Sequence, residues 1–542
     1  MTRIPVKSRA ARRAAAVLLV GPAALAPAFG SEASAAPSAG ALAFRNIPVC
    51  GAPAGGTAAC DVVLHQRLLG DGAPAPSLDA PPSGALAPQD ILEAYNWTGL
   101  AASTGPGAGE TIGIVDAYDD PTIASDLDTF SARYGLPAIG GRGTNDLCSS
   151  PFAFTKVNQA GSTSASDMPA RNAGWALEIS LDVEWAHAIA PCADITLVEA
   201  NSSTLDNLGS AENTAVDKGA RYVSNSWGGG EVSGETTDDT EYFGSGATVS
   251  YFAASGDSGG VVNYPASSPN VVAVGGTTLS ATATSAGTLW SETAWSGSGG
   301  GCSRVEAATP TQSPFSLALC PGGSGTLGMR ATPDVAADAD PNTGVAVYDS
   351  TRYQGQSGWF QVGGTSLSTP IWAARAADQA VHVDSAELYA GGTAAYPDDG
   401  TALTYRDVLV GSNGYPALPG DDLTTGLGSW ASGATASAAP DAPVLAAPTL
   451  DTGSVTLSWS EDRAGVTFNV YRSTSSDMAG ARELSCSGTT ATTCTDSGLA
   501  SGTYDYAVTA VDSGGVLSRP ALSGPLAVTG SHNKGGGHHG KP

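Results

Sequence analysis

The sequence predicts an α/β protein built on a mainly parallel sheet flanked by helices and followed by a small all-β sandwich. Three observations lead there. Short apolar runs at residues 111–116, 195–198, 222–224, 249–253 and 271–274 are strand-length, and several end in loops bearing polar groups, as buried parallel strands do. Helical stretches fall between several of these runs, which is the alternation of a parallel sheet with its site at the strand C-termini. Beyond a Pro/Ala/Ser-rich stretch at 431–443, runs such as 455–459, 468–472 and 504–511 alternate apolar and polar residues between turn residues, the period of a two-sheet sandwich.

Taken in order, the chain opens with Arg3, Lys7, Arg9, Arg12 and Arg13, an apolar run from Ala14 to Phe29, and the small residues Ala33-Ser34-Ala35. Basic, apolar and small in that order describes a secretory signal peptide over 1–35, and Arg12-Arg13 leaves the twin-arginine route open beside the general one. The run is too short and too rich in proline for a membrane anchor. Residues 36–85 read as a short leader or pro-segment with little core of its own. A catalytic-sized domain is expected over 86–430, beginning with a capped helix near 87–95. A linker at 431–443, the sandwich at 444–529 and a disordered tail at 530–542 complete the organisation.

Composition limits the function classes. Of 542 residues, 42% are hydrophobic and only 14% charged, with 70 glycines and 34 prolines, which suits a loop-rich folded protein and no coiled coil. Twenty-four basic against 51 acidic side chains leave a formal charge of −27, the wrong sign for nucleic acid or an anionic membrane surface. Eight cysteines in an exported chain suit disulfides. Sequence proximity suggests Cys50–Cys60, Cys302–Cys320 and Cys486–Cys494, leaving Cys148 with Cys192 by elimination. A secreted, extracellular, monomeric protein is expected.

Three local features carry chemistry. Glu178 and Asp182 stand four residues apart in a helical stretch near 173–190, so both carboxyls share one face, which Trp185 and Ile189 continue. As an exposed stripe the pair would mean nothing; apolar neighbours imply burial and proton sharing. At Gly363-Gly364-Thr365-Ser366-Leu367-Ser368-Thr369-Pro370 a small-residue turn sets a serine hydroxyl at a helix N-terminus, where backbone N–H groups can also hold an oxyanion. Ser255-Gly256-Asp257 follows an apolar strand; alone, Asp257 would be a turn residue.

Together with Ser226-Trp227-Gly228, these segments stand in the order found in the sedolisins, the serine-carboxyl peptidases with a subtilisin-like fold, which the chain resembles over residues 87–430. The resemblance implies Ser366 as nucleophile, Glu178 as general base and acid, Asp182 as the residue orienting Glu178, and Asp257 as a protonated oxyanion donor. Polypeptide substrates and acidic working pH follow from it. It also implies one Ca²⁺ held by Asp407, Val408, Leu418, Gly420 and Asp422, hard oxygen ligands that suit calcium. Leu418 departs from the family's usual glycine, Gly363 from its serine and Asp116 from its glutamate, and the leader is far shorter than the usual prodomain. The sandwich resembles fibronectin type III through Trp459, Tyr471 and the Leu499, Gly502, Tyr504 pattern, with surface or polymer contact as a possible role.

Two other readings compete. A Ser/His/Asp peptidase would use Asp116, His187 and Ser366, but His187 lies in Trp185-Ala186-His187-Ala188 with no partner motif and reads as a packed histidine. A non-catalytic binding protein on a peptidase scaffold would be expected to have lost one of the catalytic residue types, and all are present.

Overall fold

The computed structural model describes residues 43–70, 72–97, 105–244, 248–284, 287–312, 319–320, 328–389, 405–418, 420–430, 443–461, 465–474, 482–511 and 521–530. The expected signal peptide, most of the linker and nearly all of the tail lie outside them.

The elements run β1 (Ala43–Pro48), β2 (Ala59–Cys60), β3 (Val63–Leu68), α1 (Pro88–Ala94), β4 (Thr111–Ala117), α2 (Ile123–Tyr134), β5 (Phe154–Asn158), α3 (Ala173–Ile189), β6 (Asp194–Ala200) and α4 (Leu205–Asp217). They continue with β7 (Tyr222–Asn225), β8 (Trp227–Gly230), α5 (Glu235–Tyr242), β9 (Ser250–Ala254), β10 (Asn263–Tyr264), β11 (Val272–Thr284), β12 (Gly287–Ala294), β13 (Gly301–Ala307) and β14 (Met329–Thr332). Then come β15 (Val335–Asp338), β16 (Val345–Tyr353), β17 (Gln356–Gly363), α6 (Thr365–Gln379), β18 (Tyr405–Arg406) and β19 (Ser429–Trp430).

Among the described residues the central sheet has the order β18-β19-β15-β11-β9-β7-β4-β6-β5, with β12 paired to β11. Every pairing from β19 across to β5 is parallel; β18 and β12 are the antiparallel additions. Such a sheet needs both faces covered, and its strands are accordingly apolar throughout: Ile112, Ile114, Val115, Val223, Phe252 and Val272 are all fully buried.

Helix α3 starts where the Asn172 side chain caps it, accepting from the N–H groups of Gly174 and Trp175. It then has no solvent face, because every residue from Gly174 to Ile189 is buried. It packs against α6, α2 and β16. A helix apolar on all sides must lie inside the fold, and this one carries its few acids in with it. Three tryptophans tie helices and strands together by donating indole N–H to strand carbonyls: Trp185 to Ala346 (3.1 Å), Trp227 to Val115 (2.9 Å) and Trp372 to Ala336 (2.9 Å).

The leader does not stand apart. β1 pairs with β3 and β3 with β17, while β2 pairs with β8, so residues 43–68 extend two sheets of the domain that follows. Val62, Val63, Leu64 and Ala75 are buried. All four disulfides form as the sequence suggests, including Cys148–Cys192, and no free cysteine remains.

The C-terminal segment forms two antiparallel sheets around Val455, Leu457, Trp459, Phe468, Val470, Tyr506 and Val508, a core of its own. Tyr504 donates its hydroxyl to the Ala500 carbonyl at 3.3 Å, four residues upstream.

One buried ion pair holds the start of β15. Arg330 donates to both carboxylate oxygens of Asp334 (2.6 and 2.5 Å) and to the carbonyls of Ala331, Val271 and Ser268, and both side chains are fully buried. Asp334 in turn accepts from Ala273 N–H on β11. Removing one partner strands the other charge, so Arg330→Ala should cost about 3–5 kcal/mol in urea unfolding. A loss below about 1 kcal/mol would mean that Asp334 finds its compensation elsewhere.

Candidate active site

The site forms where the C-terminal ends of β7 and β9 meet the inner helix α3 and the N-terminus of α6. Ser366 is the second residue of α6 and is fully buried. Its hydroxyl donates to Glu178 Oε2 at 2.8 Å and also lies 3.2 Å from the Ser226 carbonyl. Ser226, the residue joining β7 to β8, donates its own hydroxyl to Asp182 Oδ1 at 2.8 Å. The helix spacing seen in the sequence therefore brings Glu178 to Ser366 and Asp182 to Ser226 beside it.

Burial is the main reason all these carboxyls hold protons tightly. Glu178 and Asp182 are pushed well above the usual carboxylate range by loss of solvent; for Glu178 the neighbouring charges of Asp182 and Asp116 add to it, and the Ser366 hydroxyl works against it. Asp116, at the end of β4, is fully buried and also raised by burial and then by Asp182. Neither of its carboxyl oxygens has a hydrogen-bond partner among the described residues.

Asp257 sits on the loop after β9. Its Oδ1 accepts from the Thr365 N–H (2.8 Å) and the Thr365 hydroxyl (3.0 Å), and its Oδ2 has no partner among the described residues. Burial raises it to about 7 even though both Thr365 bonds favour the ionised form. Gly364, between these groups, has φ 101°; a Cβ there would lie 2.0 Å from the Asp61 carbonyl oxygen and 2.6 Å from Asp257 Oδ2. Only glycine allows the backbone to approach that closely.

His187 is elsewhere. Nine residues beyond Glu178 is about two and a half helical turns, the opposite side of α3. There its ring stacks on Phe152 at 4.1 Å and its Nε2 contacts the Pro137 carbonyl at 2.8 Å, and burial lowers its pKa to about 4. It is a packed histidine.

The carboxylates expected to hold calcium converge in one turn. Asp407 Oδ2 accepts from Gly420 N–H at 2.7 Å, and Asp422 accepts from the N–H groups of Leu418, Thr424 and Thr425, each at 2.8 Å. Asp407 Oδ1 is buried without a hydrogen-bond partner among the described residues, and burial followed by the charge of Asp422 pushes Asp407 well up. Burial brings Asp422 to about 7. Two buried acids hydrogen-bonded into one turn, Asp407 with an oxygen that no described residue meets, fit a hard divalent cation.

One participant was not legible in the sequence. Asp61 lies against Ser366: its carbonyl accepts from Ser366 N–H at 3.3 Å and its N–H donates to the Ser226 carbonyl at 3.1 Å. Nothing in Ala59-Cys60-Asp61-Val62 marks it as such, because the contact arises from sheet pairing between segments far apart in the chain.

A sequence profile described as the subtilase family matches residues 161–386. Sedolisin of Pseudomonas sp. (strain 101) is 28% identical over 373 residues, covering 61% of this chain and 57% of that protein. Kumamolisin of Bacillus sp. (strain MN-32) is 30% identical over 404 residues, covering 68% of this chain and 65% of that protein. A solved structure of Pseudomonas sedolisin, described as a serine-carboxyl proteinase complexed with pseudo-iodotyrostatin, superimposes with a TM-score of 0.50 at 28% identity, covering 64% of this chain and 95% of that one. In sequence and in fold the chain is similar to the sedolisin family. It spans 57% and 65% of the length of those two relatives. Sedolisin-family members are serine-type peptidases, and the α/β fold expected from the sequence is the subtilisin-like one of this family.

The raised carboxyls have a consequence for stability. Asp257 and Asp422, each at about 7, and Glu199, at about 8, keep protons in the folded protein that they release near pH 4 when unfolded. The folded state therefore binds more protons than the unfolded one between these values, and its stability falls as pH rises through them. In calcium-free buffer the Tm should drop steadily from pH 6.5 to 8, a window above the unfolded histidine value of about 6.5. A flat or rising Tm there would contradict the burial-driven shifts.

Proposed function

We propose that the chain is a secreted serine-carboxyl endopeptidase that hydrolyses polypeptides at acidic pH through an acyl-enzyme on Ser366. The observation that carries this reading is the 2.8 Å hydrogen bond from the Ser366 hydroxyl to Glu178 Oε2, with the buried His187 on the far side of the same helix. Glu178 takes the hydroxyl proton as Oγ attacks the substrate carbonyl and returns it to the leaving amine. Asp182 shares charge and protons with Glu178 and is anchored by Ser226. The oxyanion meets Ser366 N–H at the start of α6 and the Asp257 carboxyl, which donates only while protonated.

The chemistry fixes the pH dependence. Asp257 loses its proton as pH rises through about 7, so activity falls on the alkaline side, while Glu178 must be ionised or share a proton with Asp182. On denatured protein the profile should be a bell with its maximum below about pH 6, under the histidine reference value. Ser366→Ala and Glu178→Gln should each lower kcat by about 10⁴-fold or more with folding retained. Asp257→Asn should flatten the alkaline limb, because an amide donates at any pH. An alkaline optimum that survives in Glu178→Gln and vanishes in His187→Ala would replace this mechanism with the histidine one.

Asp407 and Asp422, with the backbone carbonyls of Val408, Leu418 and Gly420, would hold one Ca²⁺, which supplies the positive charge that the buried acids lack. Its role is structural, fixing the turn that contacts the loop after β9 through Asn413 and Gly260. Calcium should raise the Tm at pH 6–7, chelator should lower it, and Asp422→Asn should remove the difference. An identical Tm with calcium and with chelator in the unsubstituted protein would count against the site.

The four disulfides agree with an oxidising, extracellular location. The C-terminal sheets, with a core of their own, suit a fibronectin type III-like accessory domain that contacts a surface or polymer.

A further inference from the structure

Away from Ser366, carboxyls that no step of the proposed hydrolysis uses gather where α2 and β16 pack against α3. Asp120 lies on the turn after β4, Asp126 in the first turn of α2, Asp349 on β16 and Glu184 on α3. Their exposures are 0%, 2%, 0% and 0% in that order. One carboxylate oxygen each from Asp120, Asp126 and Asp349 lie within 4.8 Å of one another. Two oxygens bound to the same Ca²⁺ at about 2.3–2.6 Å stand at most about 5 Å apart, so oxygens gathered this closely meet the distance condition for sharing one ion.

The hydrogen bonds these carboxyls make leave part of each group open. Asp120 Oδ1 accepts from the Thr122 N–H and hydroxyl, both at 2.9 Å. Asp126 Oδ2 accepts from the Ser350 N–H and hydroxyl, both at 3.0 Å. Asp349 Oδ1 accepts from Thr351 N–H at 2.6 Å, and Glu184 Oε2 from Tyr348 N–H at 3.0 Å. The opposite oxygens, Asp120 Oδ2, Asp349 Oδ2 and Glu184 Oε1, are buried with no hydrogen-bond partner among the described residues. Donors on one oxygen hold a carboxyl in place and favour its charged form, while a buried open oxygen is costly until something positive meets it. Lys156 is committed elsewhere: its ammonium donates to Asp119 (2.5 Å), to the Asp120 carbonyl (2.7 Å) and to Glu199 (3.3 Å). Burial raises Asp120 to about 6 and pushes Asp349 and Glu184 well up, with the charge of Asp120 adding at Asp349 and that of Asp126 at Glu184.

We propose that Asp120, Asp126 and Asp349 form a second Ca²⁺ site, separate from the turn at Asp407 and Asp422, that staples α2 and the turn before it to β16. The donors are all oxygens, with neither thiolate nor imidazole, which selects a hard cation over zinc or copper. Magnesium keeps several of its waters, and carboxylates buried this fully favour the ion that gives its waters up. Glu184 adds negative charge from α3. The two sites release an ion differently. The ligands of the turn belong to one loop, whereas residues 120–126 and 349 meet only because α2 packs on β16. Freeing the second ion means parting those elements, so a chelator that empties the turn leaves it in place in the folded protein.

Metal content measured by mass spectrometry tests the site without reference to activity, in a Ser366→Ala background that lacks the proposed nucleophile. The Asp422→Asn protein, purified in calcium at pH 7.5 and passed through EDTA without unfolding, should retain one Ca²⁺ per chain. Adding Asp349→Asn or Asp120→Asn should reduce this to none while the far-ultraviolet circular dichroism stays unchanged. Anomalous diffraction from crystals of the Asp422→Asn protein should place the ion among the three carboxylates, which fixes its position even where an Asn variant does not fold. Absence of calcium from the Asp422→Asn protein, a different metal in its place, retention in both Asn variants or a peak elsewhere overturns the proposal. None of these results bears on the peptidase reading.

Discussion

Everything at this site depends on putting carboxyl groups where water cannot reach them. Helix α3 has no exposed face, so Glu178, Asp182 and Glu184 enter the interior with its apolar residues. Taking a carboxylate out of water costs several kcal/mol, and placing a second one beside it costs more, so the groups hold protons instead. Glu178, which accepts from the Ser366 hydroxyl, and Asp257, which accepts from Thr365, are both raised in this way. One physical effect thus raises both groups, as the proposed base and the proposed oxyanion donor require.

The same helix shows why residue type alone does not name a base. Glu178 and His187 are both buried in α3. Their separation turns one toward Ser366 and the other toward Phe152, and burial acts oppositely on them, raising the acid and lowering the imidazole. A neutral histidine stacked on an aromatic ring is part of the packing. The acid at hydrogen-bond distance from a helix-terminal serine is the group that can do work on it.

Close backbone approach is the second constraint. Gly364 lets Asp257, Thr365 and the Asp61 carbonyl crowd around the start of α6, and the short strand β8 offers its edge to the leader. Residues 43–68 add β1, β2 and β3 to the domain's sheets, and the Cys50–Cys60 disulfide stiffens the segment. Its expected lack of an independent core and its burial against the domain are two aspects of one arrangement.

Much of this was written in the sequence. Apolar runs ending in polar loops announced the parallel sheet because strands covered on both faces have to be apolar, and the i, i+4 spacing of Glu178 and Asp182 put both on one helix face whatever the fold around them. Cysteine proximity gave three bridges, and the fourth followed from the count. What the sequence could not show is which way α3 turns within the fold, so whether its acids were a solvated stripe or a buried pair was settled only by α6, α2 and β16 packing around it. The contact of Asp61 with Ser366 was likewise invisible, since the two are brought together by sheet pairings to β8 and β17, and register between distant strands is fixed by tertiary packing and by no local pattern.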